Sequence, residues 1–142
     1  MNTKTNFTLR LKALILCLAM LIAVTAMASC QPAVTIDSDT MIIVRCAEED
    51  EGKTLIGYMN ELQEGGKLDF TVEGGMITSI NGTENAADYS SCWMLYTSDA
   101  EMSNNAWGTV EYDGSEYGSA VLGAESLEIK AGEIYIWAYA TF

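Results

Sequence analysis

The chain has no histidine, one proline, and only seven lysines and arginines against 20 aspartates and glutamates. Without histidine there is no Ser-His-Asp or Cys-His catalysis, and the common zinc ligand sets are missing. So few cations on so acidic a chain repel a phosphate backbone, which excludes nucleic acid as a partner. Cysteine is scarce as well: Cys17, Cys30, Cys46 and Cys92 are spaced too widely for a CxxC redox pair. Neither a phosphate-binding loop nor a dinucleotide glycine fingerprint is present, and Gly65-Gly66 and Gly74-Gly75 read as turns. Carboxylates are abundant enough that some pair must lie close by chance, so proximity alone would not identify a glycosidase. These absences point away from an enzyme and from any bound cofactor.

What is there begins at the N-terminus. Lys4, Arg10 and Lys12 form a short basic region without acids, residues 11–27 are almost wholly apolar, and Met27-Ala28-Ser29 lead into Cys30. Basic, apolar, small, then cysteine is the layout of a secretory signal. The closing cysteine makes it resemble a bacterial lipoprotein signal, which implies cleavage after residue 29 and lipidation of Cys30. The competing reading is a retained membrane helix, for which the run has about the minimum length of roughly 17–25 residues. The small residues before Cys30 and the polar stretch after it favour cleavage. The expected product is anchored in a cell membrane and faces outside the cytoplasm.

Removing residues 1–29 leaves 113 residues, enough for one domain. Three basic side chains and no acids leave with the signal, so the remainder carries four basic and 20 acidic side chains, formally −16. No basic patch can hold such a chain on a membrane, so attachment falls to the lipid. Cys46 and Cys92 remain, either bridged in an oxidising compartment or buried as small apolar residues.

Residues 30–40 are small and polar, include the proline, and read as a tether to a domain spanning 41–142. Met41 to Cys46 is a β-branched run and a first strand. Glu48-Glu49-Asp50-Glu51 lacks the spacing of a calcium loop and reads as an acidic turn before a helix. That helix is expected over Thr54 to Gln63, with Leu55, Met59 and Leu62 on one face. Leu68 to Glu73, Gly74-Gly75 and Met76 to Ile80 form a hairpin. Asn81-Gly82 opens a polar loop, Cys92 to Tyr96 is a central strand, and Thr97 to Gly118 reads as a long irregular segment. A short strand is placed within 120–129, and Ile134 to Tyr139 closes the chain with isoleucines on one face and aromatics on the other. The order predicts an α+β fold with a mixed sheet and one short helix.

Three sequence features in order carry a resemblance: Ile80-Asn81-Gly82 ending a hairpin, Trp93-Met94-Leu95-Tyr96 on the next strand, and Gly132-Glu133 before Trp137 and Tyr139. In order and spacing they resemble a bacterial domain of unknown function related to the C-terminal domain of transcobalamin and intrinsic factor. The resemblance implies a β-grasp-like fold and, as ligand class, a corrinoid such as cobalamin. The chain departs from it in the segment Asn104-Asn105-Ala106-Trp107-Gly108 and lacks the helical half that completes the transcobalamin clamp.

The aromatic residues form the candidate site: Trp93, Tyr96, Trp107, Tyr112 and Tyr117. Aromatics in a polar loop either pin that loop to the domain or present a binding surface. Two functions follow. One is capture of a small molecule at the cell surface, with a membrane transporter as receiving partner. The other is a surface interaction or adhesion module for a protein or glycan. A concave groove would favour the first and a flat patch the second.

Overall fold

A computed structural model describes residues 31–142, within which Pro32–Phe142 form one compact unit. The segment expected to be a signal and Cys30, expected to be lipidated, lie outside the described residues. Among the described residues nine strands and one α-helix make an α+β fold, and no helix is long and apolar enough to cross a membrane.

The strands are β1 (Val34–Ser38), β2 (Met41–Arg45), β3 (Phe70–Glu73), β4 (Met76–Ile80) and β5 (Thr83–Glu84). They continue as β6 (Ser91–Thr97), β7 (Ser103–Tyr112), β8 (Ser115–Ala120) and β9 (Ile134–Thr141). A six-stranded sheet has the order β1-β2-β9-β6-β8-β7, and a small sheet has the order β3-β4-β5. Each of these ladders is antiparallel, where a mixed sheet was expected. The reason is that β9 enters between β2 and β6 running against both.

Helix α1 (Leu55–Glu64) starts at Thr54, whose hydroxyl accepts from the Gly57 N–H at 3.2 Å. It buries Leu55, Tyr58, Met59 and Leu62, the 3–4 spacing of one helical face. The acidic run forms one 3-10 turn, Glu48–Asp50, in front of it. Asp50 takes an ion pair from Lys53 at 2.8 Å, and the Glu51 carboxylate accepts from the Ala131 N–H.

Strand β9 organises the core. Alternation sends Tyr135, Trp137 and Tyr139 to the face that carries α1 and the small sheet, and Ile134, Ile136 and Ala138 to the other. The first face is the main core, with Ile42, Val44, Leu95 and Ile129. On the second face Ile43, Tyr96, Ile136 and Ala138 are covered by Val110, Tyr112 and Tyr117. That cover is the β7–β8 hairpin, read from sequence as irregular. It joins the sheet through only two residue pairs, Tyr96↔Ser119 and Thr97↔Gly118, and curls back over the face beyond them.

One further expectation changes, and one open alternative is decided. The tether contains β1, because β2 offers it a free edge and Val34, Thr35 and Ile36 pair with Val44, Ile43 and Ile42. Cys46 and Cys92 are free thiols, not a bridge. Arg45, next to Cys46, pairs with Ile134, whereas Cys92 pairs with Ala140, six residues further along β9. That separation is about 20 Å at strand rise, well beyond disulfide reach of roughly 7 Å between Cα atoms.

Candidate functional site: a tryptophan groove

A groove of about 530 Å³ opens along the α1-bearing face of the large sheet. Trp93 and Trp137, each 5 % exposed, line it from the adjacent strands β6 and β9. The β3–β4 hairpin forms one wall with Val72, Gly75, Met76 and Ile77. Ile56 of α1 and the segment 121–125 contribute the other, and Tyr89, Trp107 and Phe142 stand at the rim.

Each element is held for an identifiable reason. The hairpin turns at Gly74-Gly75, both with positive φ (58° and 83°), the two-residue turn whose twist matches antiparallel strands. Asn85 ties the small sheet to the large one: its amide donates to the Ile77 carbonyl at 2.9 Å and its carbonyl accepts from the Trp93 N–H at 2.8 Å. The Trp93 indole donates to the Thr83 carbonyl at 2.8 Å, and its ring meets Tyr139 edge-on with centroids 5.4 Å apart. Trp93 is therefore fixed in position and orientation.

Trp107 reaches the groove by a different device. Strand β7 pairs with β8 through Ser103↔Ala120 and Asn104↔Ser119, then resumes at Thr109↔Gly118. Asn105, Ala106, Trp107 and Gly108 bulge out of the ladder with no residues opposite them. Ser119 anchors the bulge: its hydroxyl donates to the Asn104 carbonyl at 3.0 Å and accepts from the Trp107 N–H at 3.3 Å. Gly118 permits this close approach, since a Cβ there would lie 2.6 Å from the Asn104 oxygen. The result leaves Trp107 67 % exposed beside the groove. Tyr89 is displayed at similar cost, with a left-handed φ of 56° that a bulky side chain rarely adopts.

The groove has little chemistry of its own. Glu125 is the one charged side chain among the described residues lining it. Cys92 lines it too, but burial pushes its thiol above the ordinary value, which disfavours the reactive thiolate. Apolar contact and stacking are what this surface offers.

The five aromatics singled out from sequence divide between the two faces. Trp93 and Trp107 come together in the groove. Tyr96 is buried on the opposite face with Tyr112 and Tyr117 packed against it. Trp93 and Tyr96 are three apart on one strand, and an odd separation puts side chains on opposite faces. Sequence reasoning missed Trp137, Tyr89, Met76, Leu122 and Phe142. Trp137 was legible in principle, because its strand alternation and that of Trp93 each mark an apolar face.

Comparison with protein-family models, with curated proteins and with solved structures finds no match to this chain.

Proposed function

We propose that this protein is a lipid-anchored, extracytoplasmic binding domain that captures a small molecule in the tryptophan groove. One observation carries the reading. Seven large apolar side chains are exposed among the described residues, and six of them border this one groove: Met76, Tyr89, Trp107, Val121, Leu122 and Phe142. Exposed apolar surface gathered around a concavity marks a binding site more often than chance scatter does. The concave shape favours capture over the adhesion reading.

The resemblance to the transcobalamin C-terminal domain supplies a corrinoid as the first ligand to try and a β-grasp-like ancestry for the sheet with its one helix. Cys30 would carry the anchor, and a membrane transporter would receive the ligand. The domain performs no reaction in this account, since Glu125 is the one charged side chain among the described residues lining the groove and the sequence has no histidine to serve as a base.

Two experiments test it. Calorimetric titration of residues 31–142 with cyanocobalamin and cobinamide yields saturable heat if a corrinoid is the ligand, and none if the resemblance stops at the fold. Mass spectrometry of membrane-extracted protein gives an N-terminal acylated Cys30 if the anchor reading holds, and an intact residue 1 if it fails.

A further inference from the structure

We infer that the groove takes a small organic cation, with an ammonium-type head paired to Glu125 and an apolar body lying between the groove walls. This deepens the capture reading and rests on it.

The placement of one carboxylate is the starting point. Glu125 belongs to one wall of the groove and reaches the other: a Cβ on Gly75 would lie 3.2 Å from its Oε2. Gly75 turns the β3–β4 hairpin with a φ of 83°, and its missing side chain leaves the carboxylate that room. No cation of the protein neutralises Glu125. Residues 31–142 contain four basic side chains, and none of them lines the groove. Lys53 is paired with Asp50 and Glu61, and Lys130 with Asp99 and Glu101. Arg45 donates to Thr35 and Tyr112, and Lys67 lines a different cleft.

The rest of the lining suits the same class. Trp107 and Tyr89 stand exposed at the rim, and the faces of aromatic rings attract ammonium groups. Among the described residues the one such contact made by the protein itself is Arg45 on Tyr112, so both rim rings are free for a ligand. Ile56, Val72, Met76 and Leu122 offer apolar contact to the body of the molecule. A body seated there displaces water, and the lower local dielectric strengthens the attraction between Glu125 and the head. An anion meets the opposite field: a carboxylate in the groove, no basic side chain beside it, and four basic against 20 acidic side chains over residues 31–142.

The test uses three probes that share a naphthalene body: (2-naphthylmethyl)trimethylammonium, its neutral isostere 2-neopentylnaphthalene, and 2-naphthylacetate. Residues 31–142 hold every core residue of the unit and three tryptophans, so binding can be followed on three indole signals in the ¹H–¹⁵N spectrum. The ammonium probe is expected to bind at least about tenfold more tightly than naphthylacetate. Glu125→Gln should weaken the ammonium probe about fivefold and change the neutral isostere less than about twofold. Glu116→Gln removes another exposed carboxylate, one outside the groove, and should leave the ammonium affinity within about twofold of wild type. An ammonium affinity untouched by Glu125→Gln, or lowered as much by Glu116→Gln, would overturn the cation site and leave the groove as a binding site. Binding of the neutral probe alone, or tighter binding of naphthylacetate than of the ammonium, would do the same. No shift of any indole with any of the three probes would defeat the capture reading itself.

Discussion

The guanidinium of Arg45 donates to the Tyr112 hydroxyl at 3.2 Å, although β9, β6 and β8 lie between their strands in the sheet. The same guanidinium sits 5.9 Å from the centre of the Tyr112 ring and donates to the Thr35 hydroxyl at 3.0 Å. The far edge of the sheet has folded over far enough for its last strand to meet its second. The pair fastens the β7–β8 hairpin over Ile43, Tyr96 and Ile136, and so fixes the base from which the Trp107 bulge projects.

Tyr112→Phe removes the hydrogen bond and keeps the ring. The expected loss is about 1 kcal/mol of unfolding free energy in urea. Ligand or dye affinity should stay within twofold of wild type, because Tyr112 is on the face away from the groove. A large loss of affinity at unchanged stability would return Tyr112 to the binding site.

Trp107 and Trp93 should part company on substitution. Trp107→Ala removes a side chain that is 67 % exposed, so stability should change by no more than about 0.5 kcal/mol while affinity falls. Trp93→Ala empties a core position and should cost about 3–5 kcal/mol. Equal destabilisation by the two would make Trp107 a packing residue.

Tyr89 holds a backbone conformation that glycine adopts freely. Tyr89→Gly relieves strain of about 1 kcal/mol and gives back a similar amount in chain entropy. The thermal midpoint should therefore be unchanged or slightly raised, with weaker binding. A marked fall in the midpoint would show that the ring packs against the domain instead of serving the groove.

The Asp99–Lys130 pair sets part of the acid response. Asp99 is 3 % exposed, Lys130 Nζ lies 2.9 Å from its carboxylate, and the Glu101 N–H donates to it at 3.0 Å. Lys130 foremost, and then the backbone amides, hold this carboxyl below its ordinary value of 3.8 against the opposing effect of burial. A carboxyl depressed by folding adds stability that is complete above its unfolded pKa and is lost as pH falls through the folded one. Asp99→Asn should be less stable than wild type at pH 7, and the gap should close below about pH 4. Urea unfolding of both proteins from pH 3 to 7 checks this. A gap independent of pH would assign the loss to packing and not to charge.

Much of the fold could be read in advance because local signals agreed with the final packing. Leu55, Met59 and Leu62 marked the buried helical face, Gly74-Gly75 marked a hairpin, and the alternation after Gly132 separated the two cores. The β7–β8 hairpin was hidden for a physical reason. Most of β7 is solvent-exposed, so Ser103-Asn104-Asn105 and Thr109-Val110-Glu111 show no apolar alternation, and Asp113-Gly114 between them and β8 was the one turn signal. Strand β1 was hidden because its stability comes from the edge of β2 and not from its own composition. The groove was half legible. Aromatic content pointed to Trp93 and Trp107, but composition cannot say which face a tyrosine takes, and Phe142 and Tyr89 join the site only through tertiary folding.

The most direct measurement is a titration of residues 31–142 and of their Trp107→Ala variant with Nile red, an uncharged, flat, carbonyl-bearing dye whose emission reports an apolar site. Capture in the tryptophan groove predicts saturable one-to-one binding by the wild-type domain and at least about tenfold weaker binding by the variant, with both proteins equally folded. Absence of saturable binding, or equal binding by the two proteins, would contradict it.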